Sequence, residues 1–354
     1  MGRKIGSNFL SLLLAAFLIG NSLGGCNDQD GPEKEMPRIS SLPSTAEILF
    51  VSNRDTGSSR TEIYAMDKEG DNVTRITYTE EFHFILGIDP TRRYLADSRA
   101  EEDTNSNDEL DGGDRRTLWL IDLETKQETR LTDLGNHAEG DSFSPDGEWI
   151  VFLMKLPDPD SVMDIYKIRR DGTDLTNLTD TPTVIEGDPS WSNDGRSIVY
   201  AAFDMDVQRF VLKKMDADGG NAMTVYDGGP GVATPVFPAG NYDPNWSPDD
   251  QWIVFERATA FEGENFGSGI WHIFKVKVDG SEVEDLSSVG GHEDRAEYLP
   301  SFSPDGQFIV FGSIYEADPL ADSHNDIFRM DADGSSLVRL THHPANDMYP
   351  VWIR

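Results

Sequence analysis

The sequence predicts an all-β protein: six four-stranded units set in a ring and closed by the C-terminal strand. Three observations predict it. A Ser-Pro-Asp-Gly turn followed by an Ile-Val-Phe strand recurs, as Ser144-Pro145-Asp146-Gly147, Ser192-Asn193-Asp194-Gly195, Ser247-Pro248-Asp249-Asp250 and Ser303-Pro304-Asp305-Gly306. A second Gly turn recurs out of phase with it, at Glu69-Gly70, Asp171-Gly172, Asp218-Gly219, Asp279-Gly280 and Asp333-Gly334. The two ends of the array are complementary. A period of roughly 50 residues marks a repeat architecture.

Each unit reads as four strands, A to D. Strand A precedes the Ser-Pro-Asp-Gly turn and strand B follows it. The turn has a mechanism: Pro presets the backbone at its second position, Asp bonds its own backbone, and Gly accepts the positive φ that closes the hairpin. Copies of strand B start near Ile48, Tyr94, Trp149, Ile198, Ile253 and Ile309. Copies of strand C pass through Tyr64, Trp119, Tyr166, Leu212, Ile273 and Phe328, and copies of strand D end at Thr77, Thr132, Thr179, Tyr226, Leu286 and Thr341. Strand B is apolar at successive positions, as expected of a strand covered on both faces.

The first unit opens directly on strand B, Ile48-Leu49-Phe50-Val51. The chain ends on Tyr349-Pro350-Val351-Trp352, which matches the strand A segments Asp188-Pro189-Ser190-Trp191 and Asp243-Pro244-Asn245-Trp246. The last strand is therefore expected to complete the first sheet, a clasp of three strands plus one. Closure removes the sheet edges that invite aggregation. An open solenoid would need capping repeats, and none is visible.

Trp191-Ser192, Trp246-Ser247, the Ser-Pro-Asp-Gly turns, the Ile-Tyr pairs and the Leu-Thr endings together resemble the TolB-type β-propeller repeat. The resemblance covers nearly all of residues 45–354 and implies a six-bladed β-propeller. TolB itself carries an α/β domain before its propeller, and only a short segment stands there in this sequence. The second unit departs from the pattern, reading Asp89-Pro90-Thr91-Arg92 without Gly.

The 354 residues carry 64 acidic and 30 basic side chains, a formal charge of −34. Such a balance excludes generic nucleic-acid binding, which needs basic groups to displace phosphate counterions. It favours a soluble monomer, attracts cations, and is also what adaptation to high salt produces.

The N-terminal segment is expected to be an address. Arg3 and Lys4 precede an apolar run from Phe9 to Ile19, too short to span a bilayer but matched to a signal-peptide core. Leu23-Gly24-Gly25-Cys26 resembles the bacterial lipobox. The resemblance implies removal of residues 1–25 and lipidation of Cys26, the only cysteine. Asn27 at the next position implies the outer membrane, on its periplasmic side or its surface. Residues 26–44, with Pro32, Pro37 and Pro43 among polar residues, read as a tether.

Strand direction sorts the connections. The A–B and C–D turns share one face and are short. The B–C and D–A connections share the other face, are long and charged, and are where function is expected. His137, His292, His342 and His343 lie in D–A connections, His83 at the start of a strand A, and His324 in a B–C loop. His272 is within a strand. Glu139, Glu186, Asp188, Asp243, Glu297 and Asp347 stand where strand A enters the ring. The candidate ligand-binding set is His137, Glu139, Asp188, Asp243, His292, Glu297 and His343. Histidine with carboxylate is the chemistry of zinc, manganese or iron sites, and oligogalacturonate lyases, a related-looking propeller type, hold a metal through channel histidines. Solvated loop residues are the competing reading. In the loop 101–114, Asp103, Asn105, Asn107 and Asp114 fall at the spacing of calcium-loop oxygens, although Asp108 stands where a sharp turn wants Gly. Phe261, Phe266, Trp271, Tyr298 and Tyr349 are placed either to stack on sugars or to pack between units.

Gly20-Asn21-Ser22-Leu23-Gly24 matches Gly-x-Ser-x-Gly by letter but falls inside the expected signal peptide; the repeats carry no such elbow, and no phosphate loop or dinucleotide fingerprint is present. Two function classes remain. One is a lipid-anchored module that binds an envelope protein or glycan through its loop-bearing face. The other is a metal-dependent polysaccharide lyase or hydrolase at the channel mouth.

Overall fold

The computed structural model describes residues 38–353, apart from 57–58, 159, 182, 230–231, 235–237, 262–268, 293 and 315–323. Cys26 and Phe266 lie outside the described residues. The first unit holds β1 (Ile48–Ser52), β2 (Glu62–Met66) and β3 (Thr74–Arg75). The second holds β4 (Phe82–Ile88), β5 (Tyr94–Ala100), β6 (Thr117–Asp122) and β7 (Glu128–Arg130). The third holds β8 (His137–Phe143), β9 (Trp149–Lys155), β10 (Asp164–Arg169) and β11 (Thr176–Asn177). The fourth holds β12 (Glu186–Trp191), β13 (Ser197–Asp204), β14 (Arg209–Asp216) and β15 (Met223–Tyr226). The fifth holds β16 (Tyr242–Trp246), β17 (Trp252–Phe261), β18 (Gly269–Lys277) and β19 (Val283–Asp285), with one helical turn, α1 (Leu286–Gly290). The sixth holds β20 (Ala296–Phe302), β21 (Phe308–Ile314), β22 (Asn325–Asp331) and β23 (Val338–Arg339), and β24 (Asp347–Trp352) follows.

Units two to six are antiparallel meanders in chain order. The first sheet has the order β24-β1-β2-β3. Ile48 pairs with Trp352 and Ser52 with Asp347, so the last strand lies on the first. A single parallel bridge, Trp271 to Ala296, links the fifth and sixth sheets. The strand A copies touch in succession: β4 on β8, β8 on β12, β12 on β16, β16 on β20, and β24 on both β20 and β4.

Hydrophobic cores form between neighbouring sheets. Val151, Leu153 and Ile165 of the third sheet pack with Trp191, Ile198 and Tyr200 of the fourth. Ile48, Phe50 and Tyr64 of the first pack with Val310 and Ile327 of the sixth. Fully burying one such aliphatic side chain contributes about 1.5–3 kcal/mol. This explains why strand B is apolar on both faces.

Two polar devices repeat with the units. In the Ser-Pro-Asp-Gly turn, Ser144 Oγ donates to Asp146 and accepts from the Trp149 N–H, and Ser192, Ser247 and Ser303 do the same. Gly147, Gly195 and Gly306 adopt φ of 70–72° there, and Asp250 takes the same place at 55°. The second device closes strand D onto strand C. The hydroxyls of Thr77, Thr132, Thr179, Ser287 and Thr341 accept the N–H of Ile63, Leu118, Ile165, Ile273 and Ile327, always fourteen residues earlier.

The folded body starts before residue 45, inside the segment expected to be tether. Ser40 N–H donates to Ile76 O at 2.7 Å, Tyr78 N–H donates to Arg38 O at 2.8 Å, and Ile39 is buried. Residues 38–40 thus extend the outer edge of the first sheet.

Candidate functional site

Each strand A is interrupted by a register shift near its middle. The residue at the bulge has a left-handed backbone in five strands: Gly140 (φ 68°), Asp188 (54°), Asp243 (49°), Leu299 (54°) and Tyr349 (54°). Four of these are not glycine, and a non-glycine residue held in this region costs on the order of 1 kcal/mol. Bulges re-aim side chains. Here they line a central cavity of about 150 Å³ bounded by residues of all six strand A copies, Asp188, Asp243, Leu299 and Tyr349 among them. The lining continues through Phe143, Asn245, Phe302 and Trp352, so it belongs to the half of each strand nearer the Ser-Pro-Asp-Gly turns. Two neighbouring units present carboxylates, and the next two in the ring present Leu299 and Tyr349. The cavity is acidic on one side and apolar on the other.

The acidic side has a third member. Glu256, buried on β17, hydrogen-bonds the Asp243 carboxyl and accepts the Leu299 N–H, while Asp188 Oδ2 accepts the Asp243 N–H at 3.3 Å. Among the described residues, no Lys, Arg or His pairs with these three acids. Loss of hydration pushes their pKa values up, and negative neighbours add to it: Asp188 to about 6, with Glu139 near it, Glu256 to about 8, with Asp188 near it, and Asp243 well above the ordinary range, with Asp188 and Glu256 near it.

The other acids at the start of strand A have partners. Glu139 is buried with Arg116 at 2.7 Å and with His137. His137 Nδ1 accepts the Arg116 N–H, which leaves the proton on Nε2, facing Glu139. Burial opposes ionisation of Glu139, but the Arg116 charge and the hydrogen bonds from His137 and Arg116 outweigh it and hold its pKa at about 2. His292 Nδ1 donates to Glu297 Oε1 (2.6 Å), and Ser287 donates to the other oxygen. Asp347 meets Arg54 at 2.7 Å, across the clasp. Glu186 accepts from Thr181 and Thr179, and burial raises its pKa to about 7. Thr79 and Asp97 hold His83.

The contacts of Arg116 with Glu139 and of Ser287 with Glu297 link one unit to the next, and Arg54 with Asp347 joins the two ends of the first sheet. Of the candidate set, the structure brings Asp188 and Asp243 together. His137 with Glu139, and His292 with Glu297, form separate buried pairs in different units, and His343 is exposed. Among the described residues, no group of three or more His, Cys, Asp or Glu side chains could hold a metal ion.

The family described as the TolB beta propeller domain matches residues 111–320, more than half of the chain. The chain belongs to the TolB β-propeller family. It is 32% identical over 150 residues to an uncharacterized protein of Agrobacterium fabrum, covering 40% of this chain and 46% of that protein. The crystal structure of TolB from Acinetobacter baumannii is similar with a TM-score of 0.66 at 17% identity, over 87% of this chain and 66% of that one. An oligogalacturonate lyase from Vibrio parahaemolyticus is similar with a TM-score of 0.52 at 13% identity, over 87% and 77%. At these identities the structural likenesses show the fold alone. The chain spans less than half the length of the Agrobacterium relative.

In this TolB-type propeller the loop 101–114, whose spacing matches calcium-loop oxygens and which also reads as a solvated acidic loop, is closed by its own hydrogen bonds. Asp103 accepts the N–H groups of Ser106, Asn107 and Asp108, and Asn105 accepts that of Asn107. Asn107 accepts the Glu109 N–H and donates to Asp111, and buried Asp114 accepts from Thr104, Asn105 and Asp111. Ser106 and Asp108 take positive φ, which answers the missing Gly. Trp271 packs against Tyr242, Tyr298 bonds Asn325, and Tyr349 packs on Phe84 while also lining the cavity.

Sequence reasoning missed Glu256 and Arg116. Glu256 had a signal: it is the acid that directly follows Ile253-Val254-Phe255, in a strand otherwise apolar there. Arg116 had none, because its burial depends on Phe84, whose ring lies 4.3 Å from the guanidinium, and on Gly112 O.

Proposed function

We propose that the protein is a lipid-anchored, non-catalytic six-bladed propeller of the cell envelope, monomeric, that binds an envelope protein or glycan. The six-fold succession of strand A contacts and the β24–β1 pairing support the closed six-bladed reading. The lipobox resemblance at Cys26 supports the anchor, and among the described residues no helix is long and apolar enough to cross a membrane.

The observation that carries the binding reading is the central cavity. At about 150 Å³ it is small beside small-molecule pockets of roughly 300–1,000 Å³. It has room for one inserted side chain. An acidic wall facing an apolar one suits a basic group on an aliphatic stem, whose charged head makes charge-assisted hydrogen bonds to the carboxylates. A protein partner inserting Lys or Arg fits this better than a sugar polymer. The lyase reading requires a positioned base and converging ligands. His137 and His292 are instead engaged by Glu139 and Glu297 in separate units.

The test is a pull-down from detergent-solubilised envelope with the wild type and with an Asp188→Asn, Asp243→Asn double variant. The wild type is expected to enrich a partner that the double variant loses. Equal enrichment by both, or unsaturated sugar products released from polygalacturonate by the wild type, sinks the reading.

A further inference from the structure

Residues 38–46 cross the body from one face to the other. Arg38 sits at the level of Thr77 and Tyr78, where strand D of the first unit enters its D–A connection. Its guanidinium bridges Glu81 at 3.3 Å and Glu128 at 2.9 Å, on the second unit. Both acids also hold the buried Arg99, at 2.9 and 2.6 Å. The segment then runs antiparallel to strand D. Lys126, in a C–D turn, donates to Ser41 Oγ at 3.0 Å. Arg92, in an A–B turn, donates to Ala46 O at 2.7 Å. Both belong to the opposite, short-turn face. The chain therefore enters the body at the loop-bearing face and reaches the short-turn face only at β1.

We propose that residues 38–46 are a strap that fixes how the anchored body sits on its membrane: the loop-bearing face is turned toward the bilayer, and the short-turn face looks away from it. The surface left open to a soluble partner is then the short-turn side. That is the half of the strands that builds the cavity with Asp188 and Asp243. This rests on the lipid-anchor reading.

Eleven residues, 27–37, separate Cys26 from Arg38. A stretch of that length reaches at most about 40 Å. Such a leash holds its exit point close to the surface. Burial of Ile39 and the Arg38 ion pairs keep that exit point from sliding to the other face.

The experiment uses the full lipidated chain in phosphatidylethanolamine–phosphatidylglycerol vesicles that carry a headgroup quencher. Cys26 is the only native cysteine, so once it is lipidated an introduced cysteine is the only free thiol. One dye is placed by Pro344→Cys, exposed in a D–A connection, and another by Thr125→Cys, exposed in a C–D turn. The Pro344 site is expected to be quenched severalfold more. Equal quenching, or stronger quenching at Thr125, overturns the proposal. Inserting a Gly-Ser segment of about 20 residues after Gly31 is expected to bring the two sites together, because a long flexible leash no longer orients the body. Persistence of the difference overturns the strap as its cause. An N-terminal peptide without acyl mass removes the anchor reading and the orientation with it. Slow hydrogen exchange at Ser40 and Tyr78 reads the strap separately, and fast exchange at both overturns it.

Discussion

Two levels of the same inner strands treat carboxylates in opposite ways. Where strand A begins, Glu139 and Asp347 face Arg116 and Arg54, and Glu297 is held by His292 and Ser287. A few residues further on, Asp188, Asp243 and Glu256 face one another. At the first level each of these acids has a basic partner. The second gathers acids beside a cavity, and burial raises their pKa values. Acidity alone therefore does not separate Glu139, Glu297 and Asp347 from Asp188, Asp243 and Glu256; a basic partner among the described residues does.

The largest expected effect is at the first level. Arg116→Ala leaves Glu139 buried with less compensation, and breaking such a pair costs about 3–5 kcal/mol. Chemical denaturation of the variant should show that loss. A loss below about 1 kcal/mol would mean the pair is not buried in solution.

The two levels should also respond to pH with opposite sign. Glu139, with its pKa held at about 2, gives stability that is present above its ordinary value and is lost as pH falls from about 4.5 toward 2. Glu256, raised to about 8, keeps its proton in the folded chain after the unfolded chain has released it. The folded state binds more protons between about 4.5 and 8, so stability falls as pH rises through that window. Glu256→Gln should therefore gain about 2 kcal/mol on the wild type at pH 8 and little at pH 5. Melting curves at the two pH values decide it; the same difference at both would mean that Glu256 does not share the proton network.

Asp114→Ala should cost about 1–3 kcal/mol, because several loop N–H groups lose their acceptor. The effect should appear as fast hydrogen exchange confined to residues 103–114. The smallest expected effect is Asp188→Asn on stability at pH 5, about 0.5 kcal/mol or less, since the acid is already largely protonated there. A larger loss at that pH would move Asp188 from the cavity level to the paired one.

The candidate site was legible in part. Asp188 and Asp243 stood out because they precede Pro in the repeated strand A phrase. His137 and His292 stood out equally and proved to be partners of Glu139 and Glu297. Nothing in a one-dimensional string separates an acid that will meet an arginine from one that will not. The Thr and Ser residues that close strand D were visible as strand endings, but their role depends on the N–H of a residue fourteen positions earlier. The start of the body was also misplaced, because the pairing of Ile39 with Thr77 depends on an edge that exists only once the first sheet has formed.

The sequence by itself determined the strand order, the turn chemistry and the match between its two ends, because these follow from local backbone preference and period-two burial, repeated in each unit. Only the tertiary structure decided which charges meet. That depends on side chains separated by tens to hundreds of residues along the chain, such as Arg54 and Asp347, and on bulges that turn Asp188, Asp243, Leu299 and Tyr349 toward a common cavity.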